Sequence, residues 1–231
     1  LKKEFPDLLS YTRFVERMPR VAIPLLLFLK LGLMGECTGI TFIDSTRIPV
    51  CENKRQSRNR VFKGYAQKGK STMGWYYGFK LHLLCNERGE LLNFALTRAN
   101  VDDRNPKIFN DLTKDLFGKL YADKGYISQS LFASLFDRGV HIVTGIRTNM
   151  KNRLMDVHDK IMLRKRSIIE TINDMLKNVA QIVHTRHRSI SNFIVNLLAG
   201  IAAYAFYDTK PSINMEFERE EKQGVKQLTL F

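Results

Sequence analysis

The sequence is poor in cysteine, histidine and acids, and each shortage removes a class of explanation. Three cysteines (Cys37, Cys51, Cys85) stand far apart in 231 residues, odd in number and without CxxC spacing. That excludes a disulfide framework or a thiolate zinc site and reads as the reduced thiols of a cytosolic protein. Long hydrophobic runs are lacking too. Residues 21–35 are too short to span a bilayer and contain Pro24 and Lys30, while the longer run 190–207 contains Asn192 and Asn196 and reads as a buried core helix. No signal peptide and no internal repeat is visible. The chain begins at Leu1 and not at Met, so an N-terminal piece is expected to be missing. Acids are the last shortage: 23 Asp and Glu face 37 Lys and Arg, leaving a net charge of +14 and a pI of about 9.8. Such a balance implies a polyanionic partner, either nucleic acid or an anionic membrane surface.

What is present fits one large α/β domain with appendages. Apolar content of 44% suffices for a sizeable core. Residues 1–38 read as an N-terminal helical segment broken by Pro6, Pro19 and Pro24. The β-branched run 40–50 reads as a strand, with Asp44 among its apolar residues. Residues 51–74 hold seven Lys or Arg, one acid and three glycines, and read as a basic flexible loop, either merely solvated or a phosphate-binding arm. In it Lys54, Arg55, Arg58, Arg60 and Lys63 are the candidate DNA contacts. Residues 76–85 and 90–97 form a hairpin, and Asp103 or Asn105 can cap a helix over 107–116. A fourth strand over 119–123 ends at Asp123 and feeds a helix from Ser128 to a Gly139 C-cap; 140–146 is a fifth strand. A second basic loop, 147–165, precedes an amphipathic helix over 165–183, then a last apolar helix and a tail over 208–231.

On the 165–183 helix, Ile168, Ile169, Ile172, Met175, Leu176, Val179 and Val183 share one face, while Arg166, Glu170, Asn173 and Lys177 share the opposite ridge. Three acids therefore stand out: Asp44 in the first strand, Asp123 at the carboxyl end of the fourth, where open α/β sheets place ligands, and Glu170 on the late helix. Three converging carboxylates without a Cys or His cluster suit hard cations such as Mg²⁺ or Mn²⁺. Two such ions, about 3.5–4 Å apart, can serve an in-line phosphoryl displacement. The bland alternatives are a strand-end turn at Asp44 and a solvated Arg166–Glu170 pair.

The chain resembles the ribonuclease H-like catalytic domain of DDE transposases, and more narrowly bacterial insertion-sequence transposases of the 982 group. The resemblance rests on FIDSTRIPVC (42–51), GWYYGFKLHLLCNERGELLNFALTRANVDDR (74–104), YADKGYIS (121–128) and KRSIIETINDMLK (165–177). It implies a mixed five-stranded sheet, three antiparallel strands then two parallel, flanked by helices, over residues 39–207. It implies Asp44, Asp123 and Glu170 as catalytic ligands of two Mg²⁺ or Mn²⁺ ions, and Arg166 and Lys177 as contacts to DNA near the cleaved end. Leu163 stands where the family has a tyrosine. The implied activity is cleavage at an element's terminal inverted repeats followed by strand transfer into target DNA, by a homodimer or higher assembly in the bacterial cytoplasm, at the nucleoid. The competing readings are a ribonuclease H-like nuclease that cuts without joining and an inactive DNA-binding remnant. Among other polar residues, Asp102 and Asp103 read as loop or cap acids, and Asp174 as the one nearby substitute for Glu170. His82 and His141 read as core histidines, and His184 and His187 as phosphate contacts or a solvated turn. Trp75, Tyr76 and Tyr77 read as sheet packing in preference to a base-stacking surface.

Overall fold

The computed structural model describes residues 3–4, 6–146, 154–183 and 186–213. Two short helices, α1 (Tyr11–Arg17) and α2 (Ala22–Phe28), open the chain. The second runs into a wider turn, Leu29–Leu33, whose Leu29 is fully buried and docks the segment on the core. Then come β1 (Ile40–Cys51), β2 (Gln67–Ser71), β3 (Gly74–Asn86), β4 (Leu91–Arg98), α3 (Pro106–Leu112), β5 (Gly118–Ala122), α4 (Gln129–Phe136), β6 (Val140–Thr144), α5 (Val157–Lys165), α6 (Ser167–Asp174) and α7 (Ile190–Ala205). The main sheet order is β4-β3-β1-β5-β6. β3 pairs antiparallel with β1 and β4, and β5 pairs parallel with β1 and β6. This is the expected mixed sheet, three antiparallel strands then two parallel, flanked by helices.

Side-chain alternation along the strands separates two cores. Phe42 and Tyr121 face α6 and α7, meeting Ile169, Ile172, Phe193 and Ile201. Ile43 and Leu120 face α3 and α4, meeting Phe109, Leu112, Leu131 and Leu135. Asn105 supplies the cap of α3, accepting from the backbone N–H groups of Lys107 and Ile108, whereas Asp103 is committed to Lys80. Gly139, at φ +75°, closes the turn after α4. β5 begins at Gly118, at φ +80°, where an added Cβ would fall 2.4 Å from the Gly39 carbonyl oxygen. Only glycine lets these two chain segments approach so closely.

Four expectations need correction. The sheet has six strands, because β2 pairs with the first half of β3 beside β4. The segment 51–74 is therefore not a featureless loop. It contains a tight helical turn, Asn53–Arg58, and is pinned by buried Phe62, which packs against Phe79 and Phe193 and whose carbonyl accepts from the Tyr77 hydroxyl. β2 escapes a hydrophobic-alternation reading because its inward residue is Gly69, tucked where a Cβ would lie 2.2 Å from the Ala99 carbonyl oxygen. The described part of the second basic loop is α5. It buries only Met162 fully, so no wide apolar stripe announces it; residues 147–153 lie outside the described residues. Finally, the 165–183 helix ends early. It widens at Met175–Val179 and stops before Gln181, at φ +59°. The extra residue in that turn shifts the phase, turning Val179 to solvent and leaving Ile182 to fill the core.

Candidate active site

β1 is twelve residues long, but β5 pairs only with its first three, Ile40–Phe42. Beyond that point one edge of β1 is open, and Asp44 lies there, on the α6 side of the sheet. Phe42 and Tyr121 are the last pair of the two strands, and Asp44 and Asp123 each lie two residues beyond it, close enough for Asp44 to feel the Asp123 charge. Asp123 is exposed, in extended backbone just after β5. α6 closes the same side through Ile168, Ile169 and Ile172, which orients the next ridge, Arg166, Glu170 and Asn173, along the opening.

The contacts converge on Asp44, whose side chain is 23% exposed. Asn173 Nδ2 donates to Asp44 Oδ2 at 3.0 Å, and Arg166 Nη1 stands 3.7 Å from Asp44 Oδ1. Arg166 Nη2 donates to Glu170 Oε1 at 2.6 Å, so one guanidinium serves both acids. Burial pushes the Asp44 carboxyl up to about 6. Arg166 and the Ser45 backbone N–H oppose the rise, and the charges of Glu170 and Asp123 add to it. Asp44 thus feels both other acids. Lys177 is half-buried behind them; burial lowers its pKa, Asp174 and Asp44 raise it, and Arg47 lowers it further.

Among the described residues no group of three or more His, Cys, Asp or Glu side chains is gathered closely enough to hold a metal ion. Glu170, 55% exposed, is turned toward Arg166. The donor set nevertheless suits a hard cation. It offers carboxylate oxygens around a buried charge that burial disfavours, and a cationic group already lies between Asp44 and Glu170. Asn173 is 4% exposed and its Oδ1 has no partner. Its place on Glu170's ridge was legible, but nothing in the sequence marked it as the residue that holds Asp44.

A family model for the transposase DDE domain matches residues 34–190, well over half of the chain. The chain belongs to that family. Two solved transposases are also similar. The piggyBac transposase in its synaptic complex with hairpin DNA shares 12% identity at a TM-score of 0.49, over 94% of this chain and 61% of that one. The Mos1 strand transfer complex shares 8% at 0.30, over 88% and 65%. The chain therefore spans less than two thirds of either. No curated protein matches it.

The remaining residues of this transposase-family domain fall as follows. Lys54, Arg55, Arg58, Arg60 and Lys63 are exposed and lie beyond the far end of β1, not beside Asp44. Asp102 makes a two-pronged pair with Arg104, whose hydrogen bonds hold the Asp102 carboxyl down to about 2. Asp103 pairs with Lys80 at 2.8 Å. His82 is a core histidine, 1% exposed, with Nε2 3.0 Å from Thr97 Oγ1. His141, by contrast, is exposed at the edge of Phe136, because β6 is an edge strand with that face open. His187 is half-buried, edge-on to Phe193; His184 lies outside the described residues. Tyr76 and Tyr77 are buried as expected for sheet packing, but Trp75 is 54% exposed, since β3 has run past the core at that point. The sequence also gave no warning of Asp159, which accepts from Lys119 Nζ at 2.7 Å and the Tyr121 hydroxyl at 2.9 Å. These bonds outweigh burial, lower its pKa and tie α5 to β5. No helix among the described residues is long and apolar enough to cross a membrane.

Proposed function

We propose that the domain catalyses transposition by cutting DNA at the ends of a mobile element and joining the freed ends to target DNA. The observation that carries this reading is that Asp44, at the open edge of β1, feels the charges of both Asp123 and Glu170, in a chain of this family and of net charge +14. Asp44, Asp123 and Glu170 would hold Mg²⁺ or Mn²⁺ ions, which when bound supply Lewis-acid stabilisation of the attacking and leaving oxygens.

The chain's own part is positional and electrostatic. Asn173 holds one oxygen of Asp44 and leaves the other facing the opening. Arg166 partly offsets the charges of Asp44 and Glu170, and a guanidinium released from Glu170 suits a phosphate oxygen. Lys177, partly desolvated, adds a second cation on the same side. In the first step water attacks the scissile phosphorus and the P–O3′ bond breaks, leaving a 3′-hydroxyl on the element. In the second that hydroxyl attacks a target phosphorus and displaces a target 3′-oxygen. Each step forms one P–O bond and breaks one, so neither ATP nor a covalent protein intermediate is required. The exposed cations Lys54, Arg55, Arg58, Arg60 and Lys63 bind the DNA backbone away from the cut. Two element ends must be held together, which calls for a homodimer or higher assembly.

The test is incubation of the chain with labelled terminal inverted repeats and Mg²⁺ or Mn²⁺. The reading requires metal-dependent nicking and joined products, and a Glu170→Gln variant that binds DNA but does not cut. Nicking without joining supports the nuclease reading instead, and normal cutting by Glu170→Gln removes Glu170 from the site.

A further inference from the structure

The chain's single tryptophan is placed where no folding argument needs it. Along β3, Tyr77, Phe79, Leu81 and Leu83 all face the larger core, but Trp75, next on the same face, lies beyond it and is 54% exposed. Lys70 sits directly opposite on β2, and Lys68 diagonally; their ammonium groups lie 5.9 and 5.0 Å from the indole centroid. Neither lysine pairs with an acid among the described residues. The indole's backbone is fixed as well, for the Asn53 side chain donates to the Trp75 carbonyl at 2.6 Å and draws the basic turn Asn53–Arg58 alongside. An exposed indole with two ammonium groups over its ring, neither held by an acid, matches a nucleotide: the base can stack on the indole while the phosphates draw the lysines off it.

We propose that Trp75, with Lys68 and Lys70, is a stacking platform for an unpaired DNA base, remote from the cut. This deepens the transposase reading and rests on it for DNA as the partner. Leu83 opposes Asp44, and Trp75 lies 83 − 75 = 8 residues back along β3, a strand contour of roughly 26 Å. That span places the stacked base several nucleotides from the scissile phosphate, since even duplex DNA rises only ~3.4 Å per nucleotide. In an intact duplex both faces of a base are already stacked, so the platform selects single-stranded or frayed DNA. The lysines alone would give only a salt-sensitive backbone contact; the indole adds the preference for a bare base.

One tryptophan among eight tyrosines means that the chain's emission, excited on the red edge where tyrosine does not absorb, reports this site alone. Titration with a short oligothymidylate should quench it strongly. Inorganic polyphosphate, which has charge but no bases, should bind without comparable quenching, and a hairpin duplex should quench less than the single strand. Trp75→Ala should weaken oligothymidylate binding by about 5- to 150-fold, the equivalent of one stacked base, and leave polyphosphate binding unchanged. Trp75→Phe should recover part of the loss, and unfolding midpoints establish that each variant is folded. Equal affinity of native and Trp75→Ala chains for oligothymidylate, or equal quenching by polyphosphate, overturns the platform. If duplex DNA is still cut and joined in that case, the transposase reading survives it; if no nucleic acid binds at all, both fall.

Discussion

Replacing Asp44 by asparagine should stabilise the folded chain in the absence of metal, because the site keeps a charge that burial disfavours. The carboxyl titrates at about 6 in the fold against an ordinary 3.8, a difference equivalent to about 3 kcal/mol. A folded-state value raised above the unfolded one means that the cost is absent below about pH 4, grows between about 4 and 6, and is fully present above 6. Asparagine mimics the neutral acid and still offers Asn173 an acceptor. Urea unfolding of Asp44→Asn and native chains, in chelator, should therefore show the variant more stable by ~1–3 kcal/mol at pH 8. The gap should close as pH falls toward 4. Saturating Mn²⁺ should stabilise only the native chain. A variant less stable than native at pH 8, or a gap that ignores pH, would refute the account of Asp44 as a strained, cation-seeking acid.

Other substitutions probe its neighbours. Arg166→Ala should cost about 1–2 kcal/mol at pH 8, less than the loss of a fully buried pair because Glu170 is half exposed; a double-mutant cycle with Asp44→Asn should shrink that cost. Asn173→Ala leaves an Asp44 oxygen unsatisfied and should cost about 1–3 kcal/mol, most visibly above pH 6, as read by urea unfolding. Burial pushes His82 down to about 4, with the nearby Asp103 opposing and Lys80 assisting. The folded chain therefore excludes a proton that the unfolded chain takes up below 6.5, so stability is full above that pH and falls as pH drops toward 4. His82→Gln should flatten that limb of the profile.

The placement of the two aspartates, in β1 and just after β5, was legible because a short acid interrupting or ending an apolar strand contradicts its surroundings, and that contradiction survives in one dimension. Glu170's helix was legible from its apolar face through Ile172, but its last turns were not, since a single extra residue in the Met175–Val179 turn is invisible to a fixed period. β2 and α5 were missed for one physical reason. Each is held by something other than an apolar stripe: Gly69 against the backbone of Ala99, and Asp159 against Lys119 and Tyr121. Trp75 was misread because residue type argued for burial, while its exposure depends on where β3 outruns the core. Asn173's grip on Asp44 joins residues 129 positions apart, and no local pattern could reveal it.

The most direct test of the central claim is anomalous diffraction from crystals of the chain soaked in Mn²⁺. The account predicts manganese between Asp44 and Asp123, with metal–oxygen distances of about 2.1 Å and Glu170 released from Arg166 toward the ion. Manganese held elsewhere, or a saturating soak that leaves these carboxylates without an ion and Arg166 still bridging Asp44 and Glu170, would contradict it.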